Sequence, residues 1–174
     1  MLDVDVIGGR TMDHPRSWMR YVAAGDLDDG PLDFDGFEVD GFDGKKLGKV
    51  DGFIIDISSG RPYYVVVDAG GWFRSKFLLL PVGHARLDDQ RKVLLSDLSR
   101  DRVEHFPGFD KAEFDRLSDE EITRLAARIA TTCCDDATEY TGREWTQQSH
   151  YRQPEWWETG YYRPERMLTG DRRS

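Results

Sequence analysis

Between residues 37 and 95 the chain alternates short apolar or aromatic runs with Gly and Asp-Gly punctuation. Runs of this length, rich in Val, Ile, Tyr and Phe, read as strands joined by tight turns. Six are predicted, over residues 37–42, 47–57, 63–68, 77–81, 84–87 and 92–95. Asp43-Gly44 and Ser58-Ser59-Gly60-Arg61 supply the first two turns, because Asp-Gly supports backbone with positive φ. Gly52 inside the long second run marks a bend. Many short strands with tight turns imply a mainly β fold, a small six-stranded barrel, which also removes exposed sheet edges.

Two of the runs break the expected alternation. A strand with one wet face should alternate apolar and polar residues. Tyr63-Tyr64-Val65-Val66-Val67 and Phe77-Leu78-Leu79-Leu80 are apolar on both faces. A small barrel has one interior, so the outward faces need cover from the flanking segments, from a second copy of the chain, or from both. A homo-oligomer, dimer or larger, is therefore expected.

The flanks divide into three parts. Residues 1–36 form an N-terminal extension, in which Asp13-His14-Pro15 resembles a helix start and Trp18, Tyr21 and Val22 share a face at helical spacing. A short helix is predicted there, and another helical turn over residues 100–105. After the barrel domain, residues 37–109, comes a helical segment, 110–140. Its capping box, Ser118 with Glu121, opens a helix carrying Ile122, Leu125, Ala126 and Ile129 on one side. Residues 141–174 hold Trp145, Tyr151, Trp156, Trp157, Tyr161 and Tyr162, with Pro154, Pro164 and Gly160 forbidding one continuous helix. Such a segment has no core of its own but much to bury. It is expected to cover residues 63–67 or 77–80, as an oligomerisation arm.

Charge narrows the partners. The 174 residues carry 33 acidic and 24 basic side chains, a formal net charge of −9. Residues 37–109 are balanced at 11 of each, so the acidity lies in the flanks. Nucleic-acid binding depends on clustered positive charge, which disfavours a DNA or RNA partner. Lys45, Lys46 and Lys49 read as a solvated hairpin rim. Hydrophobic residues make up 39% of the chain, and no window approaches the roughly 18 apolar residues that span a bilayer. The first residues lack the basic and apolar regions of a signal peptide. The expectation is a cytoplasmic protein with no integral membrane segment.

Catalytic chemistry leaves no signature. His14, His84, His105 and His150 are scattered and belong to no metalloprotease-type motif, so His84 reads as a structural histidine satisfied by its surroundings. Cys133 and Cys134 have no second pair to complete a zinc site and form no Cys-x-x-Cys motif. They read as two small half-buried residues at a helix end, with a strained vicinal disulfide as the alternative. Asp33, Asp35 and Gly36 begin like a calcium loop, but Gly44 stands where the bidentate Glu is needed. Gly70-Gly71 lacks the helix and Lys-Ser/Thr of a phosphate loop. No enzyme, cofactor or metal is expected. Large aromatics beside cations are typical of contact hot spots, which makes Trp72, Phe73, Arg74 and Lys76 partner-binding candidates. Trp145, Trp156, Trp157, Tyr161 and Tyr162 join them through the proposed arm.

The run Gly44-Lys45-Lys46-Leu47-Gly48-Lys49-Val50, followed by Phe53-Ile54-Ile55-Asp56, Gly60, Tyr64-Val65-Val66-Val67 and Pro81-Val82, resembles the PRC-barrel domain family. That family includes the cytoplasmic part of the photosynthetic reaction-centre H subunit and the C-terminal barrel of a ribosome-maturation factor. The resemblance covers about residues 37–98 and specifies fold rather than chemistry. It implies a non-enzymatic protein–protein interaction module that acts as an adaptor for an unidentified protein partner. The alternative it implies is an H-subunit-like accessory of a photosynthetic or electron-transfer membrane complex, relaying protons or linked to a quinone. The family's functional residues map to no numbered position here, and the flanks have no counterpart.

Overall fold

The computed structural model describes residues 18–27, 33–70, 77–135 and 142–157. Its centre is β3 (Lys46–Asp56), an 11-residue strand. One edge of β3 pairs antiparallel with β4 (Pro62–Asp68), which pairs in turn with β5 (Phe77–Pro81). On its other edge two strands lie end to end. β2 (Glu38–Asp40) pairs with the first part of β3, and β1 (Met19–Ala23) pairs with the last part. β7 (Val93–Ser96) runs parallel to β2, and β6 (Ala85–Asp88) closes the hairpin with β7. The order is β5-β4-β3-β2-β7-β6, with β1 beside β3.

Two expectations are corrected here. All six expected strands are present, but a seventh joins them and the ladder does not close into a barrel. β5 and β6 are the two ends of the order, joined by a 3-10 turn, Val82–His84, rather than by pairing. The helix expected around Trp18–Val22 is instead β1. β2 is only three residues long and leaves most of that edge of β3 open. Filling an unpaired edge outweighs a weak helical periodicity in a segment rich in residues that also suit strands. The part of that expectation resting on Asp13, His14 and Pro15 lies outside the described residues.

Gly52 is where β1 crosses. A Cβ there would collide with the Val22 carbonyl, so only glycine permits the approach. The adjacent register shift between Val50 and Gly52 is a bulge that bends β3.

Three helices follow the sheet: α1 (Arg100–Val103), α2 (Lys111–Phe114) and α3 (Asp119–Cys134). The capping box at Ser118 and Glu121 is formed in both directions. Ile122, Ala126, Ile129, Ala130 and Cys133 are buried on the inner side of α3. α2 was not legible as an element, because four residues carry too little periodicity. Its preceding loop ties to the sheet through Phe109, whose N–H donates to the Phe77 carbonyl at 3.1 Å.

The unbroken apolar strands are covered on both faces by the same chain. Tyr63, Tyr64, Val65, Val66, Val67, Leu78, Leu79 and Leu80 are all buried. Over the Tyr63–Tyr64 end lies segment 142–157, with two 3-10 turns, Glu144–Gln147 and Ser149–Tyr151. Trp145 is 1% exposed, with its ring 5.9 Å from Tyr63, 6.0 Å from Trp18 and 5.0 Å from Tyr151. The Tyr64 and Tyr151 hydroxyls are 2.5 Å apart.

Candidate functional site

Where segment 142–157 leaves the aromatic cluster it meets three other elements around an open cleft of about 1050 Å³. The 3-10 turn Val82–His84 and strand β6 form one wall, and the last turn of α3 forms another. Residues 149–156 form the third. The approach is close because of Gly83, where a Cβ would lie 2.6 Å from the His150 carbonyl oxygen. Any side chain at this position would push the segment off the sheet.

His84 is the centre of the cleft chemistry. Its Nδ1 lies 2.7 Å from Asp97 Oδ1 and its Nε2 lies 3.2 Å from Cys134 Sγ. A carboxylate only accepts hydrogen bonds, so Nδ1 carries the proton and donates to Asp97. Nε2 then faces the disulfide sulfur, which carries no proton to donate. The ring is held on its face by His150, stacked at 5.9 Å and 12°. The backbone reinforces the pair, with the Asp97 N–H donating to the His84 carbonyl at 3.1 Å.

Cys133 and Cys134 are joined to one another by a disulfide. This corrects the reading of two separate small residues, although their place at a helix end, one buried and one half-buried, is as expected. The end of α3 is itself fixed. Asp135 takes a left-handed conformation as C-cap, and Arg102 Nη1 donates to the carbonyls of Thr132 at 3.3 Å and Cys133 at 3.1 Å. A cation on the last carbonyls satisfies groups that the helix leaves unpaired.

A second polar cluster joins three elements. The Tyr21 hydroxyl donates to Asp51 Oδ2 at 2.5 Å, and Lys111 Nζ reaches the same oxygen at 3.1 Å. Burial first, then the hydrogen bond to Asp51 and its charge, push the Tyr21 phenol above its ordinary range. The cluster ties β1, β3 and α2 together.

The partner-binding candidates divide. Trp72, Phe73, Arg74, Lys76, Tyr161 and Tyr162 lie outside the described residues. Trp145, Trp156 and Trp157 are described and turn inward. The Trp156 indole N–H donates to the Ala85 carbonyl and the Trp157 indole N–H to the Gly60 carbonyl, both at 3.0 Å. Their rings pack on Phe34 and Phe53, with Phe34–Trp156 at 5.4 Å and Phe53–Trp157 at 4.9 Å. In this arrangement they seal the chain's own sheet. Sequence reasoning passed over the His84–Asp97–Cys134 contact, because its members are 13 and 50 residues apart and form no motif. The only available signal was a His just after a strand-ending Pro and a Cys pair at a helix end.

The comparisons with known proteins agree with the fold. Residues 33–103 match the family model of the PRC-barrel domain. This part of the chain is a PRC-barrel domain. An uncharacterized protein of Deinococcus radiodurans is 43% identical over 63 residues, which are 36% of this chain and 23% of that protein. The chain thus spans under a quarter of that relative's length. His84 comes from the PRC-barrel domain, both cysteines come from the following helix, and His150 comes from the segment after it. Among the described residues no helix is long and apolar enough to cross a membrane.

Proposed function

We propose that the chain is a PRC-barrel protein–protein interaction module, an adaptor that self-associates rather than an enzyme. The observation that carries this is the match of residues 33–103, a small β module, to the PRC-barrel domain. A fold of this kind brings no chemistry of its own, since function resides in sites grafted onto it. Phe42 marks a contact point. It is 70% exposed at the β2–β3 hairpin, the one large exposed hydrophobic among the described residues. The undescribed Trp72, Phe73, Arg74, Lys76, Tyr161 and Tyr162 remain the other candidates for this surface. Light scattering on the full chain tests self-association. An oligomer that dissociates on Phe42→Ser or Trp72→Ala supports the reading, and a strict monomer at high concentration refutes self-association.

A second reading, the electron-transfer accessory of a membrane complex, draws on the stacked His84 and His150 beside Asp97. The hydrogen-bonded His84–Asp97 pair can pass a proton along that contact, with His150 packed on the imidazole face. Stabilisation of the chain by quinones in a thermal-shift titration would favour it, and no shift with any quinone would remove it.

A further inference from the structure

We propose that His84, Cys133 and Cys134 form a binding site for a thiophilic divalent cation of the zinc type, of which the disulfide is the oxidised, closed form. Three observations converge on it. The ligand atoms of the three residues all lie within 4.8 Å of one another. Donors of a tetrahedral zinc ion lie roughly 3.3–3.8 Å apart, given bonds of about 2.0–2.3 Å. Small side-chain movements would therefore bring all three to one ion. The donors are two sulfurs and an imidazole nitrogen, a set that selects zinc and similar soft ions over magnesium or calcium.

The second observation is the partner of the histidine. A metal-ligating His almost always donates its other ring N–H to a carboxylate or carbonyl, which fixes the tautomer and aims the free nitrogen. His84 does this through Nδ1 to Asp97 at 2.7 Å, leaving Nε2 directed at Cys134 Sγ. The third is preorganisation. The His150 stack and the Gly83 contact hold the imidazole side, while Arg102 and the Asp135 cap hold the cysteine side. With three protein donors and a wall open to the cleft, the fourth position is left for water or an incoming ligand.

The disulfide and the metal site are two states of one cluster. A dithiol reductant breaks the S–S bond by supplying two electrons and two protons, forming two thiols and leaving as its own disulfide. The divalent ion then displaces the two thiol protons, so uptake releases protons and tightens as pH rises. A small-molecule disulfide reverses this by taking up the two electrons and two protons to become two thiols, which re-forms the Cys133–Cys134 bond and releases the ion.

The test uses the full chain, reduced with a phosphine and freed of it, with Co²⁺ as spectroscopic probe and Zn²⁺ as competitor. The expected result is one equivalent of Co²⁺ bound with thiolate charge-transfer absorption, displaced by one equivalent of Zn²⁺, and none bound by the oxidised chain. Cys134→Ser abolishes the charge-transfer band of the paired thiolates. Asp97→Asn weakens binding about 10–100-fold, the usual loss on removing an outer partner, and His84→Gln weakens it at least as much. Asp97 is 65% exposed in its side chain, so its variant keeps the fold even if His84→Gln does not. A reduced chain that takes up no Co²⁺ or Zn²⁺ at micromolar concentration overturns the proposal. Binding that is indifferent to both Asp97→Asn and His84→Gln also overturns it, since the cysteines would then act as a generic dithiol.

Discussion

Segment 142–157 builds two unlike surfaces within a few residues. At Trp145 and Tyr151 it presents rings that exclude water from Tyr63 and Tyr64. One residue before Tyr151, His150 stacks on His84 and lines an open cleft with a disulfide and a carboxylate. The first surface is dry and redundant in its contacts, as a packed core is. The second has few contacts but fixed directions, as a ligand site does. The segment that seals the sheet is thus also the one that completes the cleft, so stability and binding are separable by mutation even though they share one stretch of chain.

Breaking the dry side should produce the largest effect. Trp145→Ala removes the ring shared by Trp18, Tyr63, Tyr64 and Tyr151. Buried Trp→Ala changes cost about 3–5 kcal/mol, and about 2–4 °C per kcal/mol is expected for a chain of this size. A fall in melting temperature on the order of 10 °C is therefore expected by calorimetry. A shift within about 2 °C would mean that segment 142–157 does not pack on the sheet in solution.

A finer cut separates packing from polarity on the same side. Tyr64→Phe or Tyr151→Phe removes the hydroxyl–hydroxyl bond, at about 0.5–1.5 kcal/mol, and the double variant loses that bond only once. Chemical denaturation of the two single variants and the double should give a double variant less destabilised than the sum. Strict additivity would mean that the two hydroxyls do not interact.

The smallest effect on stability is expected in the cleft. Asp97→Asn alters a mostly exposed side chain, and surface changes away from packed features stay within about ±0.5 kcal/mol. An unchanged melting temperature with altered metal uptake would complete the separation. A large loss of stability would merge the two surfaces into one.

The sheet was readable from sequence because its signals are local: β-branched runs joined by single tight turns, Asp-Gly hairpins and a capping box need only neighbours to take effect. β1 was not, since its strand state depends on an edge of β3 that β2 is too short to fill. The open ladder escaped notice for a related reason, because strand count does not fix closure. For the excess of apolar residues at 63–67 both the need for cover and its source in the aromatic tail were legible, but sequence does not say whether that tail folds back on its own sheet, as Trp145 and Tyr151 do against Tyr63 and Tyr64, or reaches a second copy. The cleft was opaque. Asp97, Cys134 and His150 acquire meaning only when a hairpin, a helix end and a late loop converge on His84.

That convergence has a consequence for how the protein is made. Tyr151 reaches back 87 residues to Tyr64, and Trp157 reaches back 97 residues to the Gly60 carbonyl. On the ribosome β3 and β4 emerge long before the rings that shield them. For the time needed to add those residues, several seconds at about 5–20 residues per second, the nascent sheet carries an uncovered aromatic face. A translational pause or premature stop between residues 110 and 144 would leave strands able to pair with one another but with a sticky outer surface. Such truncated chains are substrates for chaperones and for aggregation, and the sheet escapes that fate only once Trp145, Tyr151 and Trp157 are in place.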